Sequence, residues 1–314
     1  LSFTTTLPSS KKFDDPHITL DGTPRAKVTL QSLKTLWINT GTQCNLSCEN
    51  CYIESNPKND RLSYFSPDDL HSLLTEIQTQ QLPTEEIAFT GGEPFLNPHI
   101  IKLLELCLTQ GFKVLVLTNA YRVIERHKSS LLLLQQKYPN QLLIRVSLDH
   151  YTLAVHEKER GDGTFLSTLE TMKWFSDHHF QLAVAGRSLT QESKEVENAG
   201  YRELFSLHQI NVDINSPKHF TIFPEMDEKK PVPEITEKCF SLLKLDPHSL
   251  MCASSRMVVK RKGESTIKVL ACTLLAYDPQ FELGTSLKNA KQTVFLNHPH
   301  CAKFCVLGGA TCSQ

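Results

Sequence analysis

The sequence predicts an α/β chain: a partial (β/α)6 barrel followed by a small C-terminal unit built on a β-hairpin. Three observations carry that expectation. Apolar strand-like runs alternate with helix-like stretches roughly six times over residues 34–215. Prolines then crowd residues 216–248 (Pro217, Pro224, Pro231, Pro233 and Pro247) and mark a linker. Beyond it, in residues 249–314, the β-like runs 255–260 and 265–271 flank the turn Arg261-Lys262-Gly263-Glu264. Residues 1–33 lack periodicity and read as an N-terminal arm or covering loop.

The elements follow in order. Thr35–Thr40 reads as a buried strand. Ser66-Pro67-Asp68-Asp69 starts a helix that runs to about Gln80, with Ser as N-cap, Pro in the first position and acids against the positive helix end. Glu86–Thr90 is the second strand, and a helix over 98–110 stops at Gly111. Phe112–Thr118 is an apolar strand, 122–137 a helix, and Leu142–Leu148 a strand. A helix over 164–178, a strand over Phe180–Ala185, a helix near 197–206 and a strand near Val212 complete the set. Apolar strands spaced by helices imply a parallel sheet covered by helices. Such barrels hold their sites at the C-terminal strand ends. Asn119, Asp149 and Arg187 fall at three of those ends.

Composition narrows the function. The chain has 314 residues, 40% hydrophobic and 21% charged, with net charge -1. No basic surface for nucleic acid is expected. The basic run Lys260-Arg261-Lys262 reads as a solvated turn. No apolar stretch is long enough for a bilayer, and residues 1–20 are too polar for a signal peptide, so a cytoplasmic protein without a membrane partner is expected. The chain opens on Leu1 rather than Met, so an earlier start is expected.

Ten cysteines without a secretory signal read as metal ligands or reactive groups. Cys44-x3-Cys48-x2-Cys51 places three thiolates in one loop after the first strand. Thiolates suit iron–sulfur clusters and zinc. A structural zinc site wants four ligands, and no fourth stands nearby. By spacing alone a cluster, a zinc knuckle and three unrelated thiols all remain open. Thr90-Gly91-Gly92-Glu93-Pro94 follows the second strand. Its glycines open the backbone to close approach by a ligand, and its carboxylate suits a cationic amine. Taken alone it is also an ordinary Gly-rich turn.

Together these motifs resemble the radical S-adenosylmethionine (SAM) superfamily, over about residues 34–215. The resemblance implies that Cys44, Cys48 and Cys51 hold a [4Fe–4S] cluster whose open iron chelates SAM, and that Gly91, Gly92, Glu93 and Pro94 contact the SAM amine. It implies further SAM contacts from Asn119, Ser147, Asp149 and Arg160. Ala120 stands where the family has Gly. Asn50 stands where an aromatic residue is common, with Tyr52 close behind as a candidate for adenine. An electron donor such as flavodoxin or ferredoxin is implied as partner.

Cys252, the hairpin, Cys272 and Cys301-x3-Cys305 resemble the twitch or SPASM extension, which binds an auxiliary [4Fe–4S] cluster. Four of Cys252, Cys272, Cys301, Cys305 and Cys312 are expected to bind it; zinc in the same cage, or free thiols, is the alternative. His298 and His300 flank Cys301 as possible cluster neighbours or as solvent-facing loop residues. Cys107 reads as a packed thiol. Cys239, in the linker, is by analogy with radical epimerases a candidate hydrogen donor. Arg187 is a candidate for SAM or an anionic substrate. Glu225 and Asp227 are candidates for a substrate amine or for plain solvation.

The expected reaction is oxidation or epimerisation of a small polar metabolite or natural-product precursor. Peptide or protein side-chain modification is the alternative, and a non-catalytic iron–sulfur or zinc protein is a third. Peptide modifiers in this superfamily often carry an N-terminal recognition domain. Residues 1–33 are too short for one, which favours a small substrate or a folded protein.

Overall fold

A computed structural model describes residues 11–225 and 231–309. Strand β1 (Lys27–Val28) lies in the arm, and β2 (Thr35–Asn39) opens the barrel. Helix α1 (Pro67–Thr79) starts as the sequence reads: the Ser66 hydroxyl accepts from Asp69 N–H, and the Asp69 carboxylate accepts from Ser66 N–H. There follow β3 (Glu86–Thr90), α2 (Ile100–Thr109), β4 (Lys113–Thr118), α3 (Lys128–Lys137) and β5 (Leu142–Ser147). Then come α4 (Leu153–Arg160), α5 (Thr164–Asp177), β6 (Gln181–Ser188), α6 (Lys194–Leu207) and β7 (Phe220–Pro224). The C-terminal part holds α7 (Glu237–Leu243), β8 (Ser255–Lys260), β9 (Ile267–Leu270), β10 (Glu282–Gly284) and β11 (Val294–Phe295).

Strands β2 to β7 pair in sequence order, all parallel. Alternation along each strand splits the core into two faces. Leu36, Ile38, Ile87, Phe89, Val114, Val116, Ile144 and Val184 face the helices. Trp37, Ala88, Leu115, Leu143 and Ala183 face the barrel interior. This is the expected partial (β/α)6 barrel.

Three expectations need correction. The sixth strand is Phe220–Pro224, not the segment near Val212. Residues 212–218 carry Asp213, Asn215, Ser216 and Pro217, and they turn: Asp213 O accepts from Ser216 N–H and Ser216 O from His219 N–H. The barrel therefore runs past residue 215. Second, α4 lies where no helix was expected. Third, the hairpin is not detached from the barrel. Strand β8 pairs in parallel with β2, and β9 and β10 follow it antiparallel, making one sheet of nine strands.

The basic turn between β8 and β9 is likewise not merely solvated. Lys260 binds Asp69 at 2.8 Å, Arg261 binds Glu282 at 3.0 Å, and Lys262 binds Asp60. Two of these pairs tie the turn to the segment that carries the first cysteines and α1. The arm is anchored too. Strand β1 pairs with β11, and buried Arg25 meets Glu234 at 2.6 Å.

Candidate active site

The cysteine loop leaves β2 and crosses beneath the turn that leaves β3. Gly92 N–H donates to Gly41 O at 2.8 Å, and Glu93 N–H donates to Gln43 O at 3.0 Å. A Cβ on Gly92 would lie 2.1 Å from Gln43 O, and one on Gly91 would lie 2.5 Å from Gly41 O. Gly91 also takes φ +145. The two glycines are thus required by the crossing of two backbones.

Glu93 is engaged by the protein itself. Its carboxylate is 3% exposed and accepts from Phe95 N–H at 3.1 Å, the Thr118 hydroxyl at 2.9 Å and Asn119 N–H at 2.8 Å. Burial pushes its carboxyl up to about 7 against those three donors. Glu93 straps the β3 end to the β4 end, and Pro94 enters a short 3-10 turn. Neither lines the cavity at the cysteines.

That cavity, of about 600 Å³, is lined by Cys44, Cys48, Cys51, Tyr52, Thr90, Gly91, Gly92, Asn119, Ser147, Arg160 and Arg187 among others. Donors point at its sulfurs. Leu46 N–H lies 3.4 Å from Cys44 Sγ, Ser55 N–H 3.3 Å from Cys51 Sγ, and Arg160 Nη1 3.9 Å from Cys48 Sγ. Burial pushes the Cys44 thiol up to about 12 and also raises Cys48. Protonated thiols are the cheaper state of such a site without a cation, and an iron core would supply the missing charge.

Asn119 caps the β4 end: its Nδ2 donates to Asn45 Oδ1 at 2.9 Å, and its Oδ1 accepts from Tyr121 N–H. Ala120 takes φ +53, which explains the usual glycine there.

A charged network closes the cavity on the β5–β6 side. Arg160 Nε lies 2.6 Å and Nη2 3.1 Å from the Asp149 carboxylate, both residues buried. Arg187 Nε lies 3.4 Å from Asp149 and its Nη1 2.7 Å from Glu159. Burial alone would raise the Asp149 carboxyl; the Arg160 and Arg187 charges outweigh it and hold it below its ordinary value. Glu159 was not anticipated. Its carboxylate accepts from Asn50 N–H at 3.0 Å and from Asn50 Nδ2 at 2.8 Å. Asn50, where an aromatic residue is common, therefore clamps the cysteine loop to α4. Tyr52 supplies the ring that lines the cavity, its Oη 3.4 Å from Thr90 Oγ1.

A second cavity of about 670 Å³ adjoins the first and shares Tyr52, Thr90, Leu117, Ser147, Arg160 and Arg187 with it. Its other walls are Trp37, Arg145, Asp149, Ala185, Gly186, Phe223, Thr273, Leu274 and Phe304. A third cavity, of about 420 Å³, lies in the C-terminal unit. Cys252, Cys272, Cys301 and Cys305 line it together with His300 and the apolar Met251, Leu274, Leu275, Phe281, Val294 and Leu296. Leu274 lines both the second and the third. Burial pushes the Cys252 thiol up to about 11 and also raises Cys301. Cys312 lies outside the described residues.

Other candidates fall elsewhere. Cys239 sits on α7 beside the Thr236 hydroxyl at 3.5 Å and lines none of these cavities. The α7 turn orients its thiol to its own N-cap. His300 is 4% exposed against the third cavity, not solvent-facing. Glu225 directly follows β7 and lines none of the three cavities; Asp227 is outside the described residues. Cys107 is fully buried in the apolar core. Among the described residues, no three His, Cys, Asp or Glu side chains converge closely enough to hold a single ion. No helix there is long and apolar enough to cross a membrane.

The barrel and its cysteine loop define the class. The Radical SAM superfamily matches residues 38–195, and the chain belongs to it. It is accordingly an enzyme of the SAM and iron–sulfur type. It is 35% identical over 144 residues to the antilisterial bacteriocin subtilosin biosynthesis protein AlbA of Bacillus subtilis, covering 46% of this chain and 30% of AlbA. It is 26% identical over 119 residues to the putative peptide biosynthesis protein YydG of the same organism, covering 38% of this chain and 36% of YydG. The matches thus span about a third of each relative. Among solved structures, Streptococcus suis SuiB bound to its precursor peptide SuiA aligns with TM-score 0.59 at 13% identity, covering 84% of this chain and 66% of that one. At that identity the likeness is one of fold.

Proposed function

We propose that this enzyme modifies a peptide, inserting one apolar or aromatic side chain of it into the second cavity. The observation that carries this reading is the apolar part of that cavity's lining, Trp37, Leu117, Phe223, Leu274 and Phe304, in a cavity that shares walls with the one at the cysteines and glycines. Such a lining suits a hydrophobic side chain better than a small polar metabolite. The similarity to AlbA and YydG supports the same choice and favours it over the small-metabolite expectation.

Cys44, Cys48 and Cys51 would hold the [4Fe–4S] cluster, and Gly91, Gly92, Asn119, Ser147 and Arg160 would cradle SAM. Reductively cleaved SAM supplies a 5′-deoxyadenosyl radical that removes a hydrogen atom from an unactivated carbon. The chain's part is placement. The Asp149–Arg160–Arg187 network fixes the cavity wall, and the apolar lining would exclude water from the reacting carbon. Cys252, Cys272, Cys301 and Cys305 would hold a second [4Fe–4S] cluster behind Leu274. Leu274, which lines both cavities, would stand between a substrate carbon in the second and that cluster, which would supply an acceptor for the second electron of a two-electron oxidation.

The test is anaerobic reconstitution with dithionite, SAM and a panel of synthetic peptides, with small polar metabolites in parallel. Formation of 5′-deoxyadenosine together with a peptide lighter by two hydrogens is the expected result. Turnover with a metabolite and with none of the peptides would sink the proposal.

A further inference from the structure

Arg256 is fully buried at the start of β8. Its guanidinium donates only to carbonyl oxygens: Nε to Ala290 O at 2.8 Å, Nη1 to Cys252 O at 2.5 Å and Ser255 O at 2.8 Å, and Nη2 to Gln292 O at 3.3 Å. Among the described residues no carboxylate pairs with it. Acids near the hairpin are taken instead by Lys260, Arg261, Lys262 and Lys268. Two other buried arginines, Arg25 and Arg160, differ. Arg25 and Arg160 each have a carboxylate at 2.6 Å.

Carbonyl dipoles satisfy hydrogen bonds, but they leave a full positive charge in a water-free interior. Buried charges are normally paired, because removing one from water costs several kcal/mol by rough estimate. The nearest groups able to become anionic are thiols. Arg256 binds the carbonyl of Cys252 itself, and its charge reaches both Cys252 and Cys272. Those sulfurs line the apolar third cavity, where a negative cluster would have few other sources of positive charge.

We propose that Arg256 is the counter-cation of a thiolate-bound iron–sulfur cluster in the third cavity, raising that cluster's reduction potential. This rests on the reading that the four cysteines there hold a cluster. A cubane bound by four thiolates carries net negative charge, and reduction adds one more electron. A fixed cation beside it favours the reduced form. The effect is electrostatic, so Lys should preserve it and a neutral donor should not.

The experiment is a redox titration of the anaerobically reconstituted protein, followed by electron paramagnetic resonance, on wild type, Arg256→Gln and Arg256→Lys. The first cluster serves as internal reference. At the poise that half-reduces the second cluster of wild type, Arg256→Gln should show a reduced-to-oxidised ratio lower by on the order of tenfold. Arg256→Lys should stay near wild type, and the first cluster should not move in either. Equal behaviour of the two variants, with about eight irons per chain retained, overturns the proposal. About four irons in wild type would instead remove the second cluster itself, and this role with it.

Hydrogen exchange on wild type decides the case should Arg256→Gln not fold. Chelating the second cluster leaves Arg256 unpaired, so amides over 289–293 should exchange on the order of tenfold faster than in the loaded protein. Unchanged protection there overturns the proposal.

Discussion

The two cysteine sites are built on opposite plans. At the first, three sulfurs share a cavity with glycine backbone, Asn119, Ser147 and the Arg160–Asp149–Arg187 network. At the second, four sulfurs share a cavity with apolar side chains, His300 being the polar exception. The first has spare polar groups and one thiolate fewer than a cubane has irons, which suits a cluster that must also receive a ligand. The second has a full set of four and no cradle, which suits a closed cluster that only exchanges electrons. Their arginines follow the same division: Arg160 at the first is neutralised by Asp149, and Arg256 at the second is not.

The comparison breaks most visibly at the cysteines. Cys48→Ala should lower 5′-deoxyadenosine formation by on the order of 10³-fold or more, because no protein group replaces the lost ligand. Cys272→Ala should instead spare SAM cleavage while abolishing the oxidised peptide, leaving about four irons per chain. Iron assay and mass spectrometry of the same sample read both. Equal loss of SAM cleavage in the two variants would erase the proposed division of labour.

The charged network at the first site gives the next effect. Asp149→Asn keeps the shape and leaves Arg160 and Arg187 facing a neutral amide. Breaking a buried pair from one side costs about 3–5 kcal/mol, measurable by denaturant titration. The pH dependence has a definite sign. The Asp149 carboxyl is held below its ordinary value, so its stabilisation is complete above the ordinary carboxylate range. It is lost as pH falls through the lowered value, and Asp149→Asn should remove that part of the acid limb. At the backbone crossing, Gly92→Ala would press a methyl against Gln43 O, for about 1–3 kcal/mol of overpacking and a distorted cysteine loop. Circular dichroism with iron analysis checks it: normal stability and full iron would refute the crossing as the reason for this glycine.

Legibility in the sequence followed what was local. The strands β2 to β6 were readable because parallel strands buried on both faces are apolar throughout, as Leu-Trp-Ile and Val-Leu-Val-Leu show. The first cysteines were readable because all three ligands lie in one loop. Strand β7 was missed because it ends in Pro224 and is only half-buried, so no continuous apolar run marks it. Helix α4 was missed because its buried face is His156, Glu159 and Arg160, so no apolar period marks it. Its signals were the basic last turn and Gly161 beyond it. The clamp from Glu159 to the cysteine loop was invisible for the same reason, since it joins residues far apart in sequence through a polar face.

That clamp yields the smallest and most discriminating effect. Asn50→Ala removes the Nδ2 bond to Glu159 at 2.8 Å and keeps the backbone bonds of residue 50 to Glu159 and Arg187. One charge-assisted bond is lost, for about 1.5–3 kcal/mol before the Arg187 pair and water compensate. The net should be near 1 kcal/mol, or a several-fold rise in the KM for SAM at unchanged iron content. Asn50 sits in the loop between two ligands, so a purely local role would leave KM alone, whereas a role in shaping the SAM wall moves it. Loss of iron comparable with Cys48→Ala would instead make Asn50 part of the cluster's own support and erase its distinction from the ligands on either side.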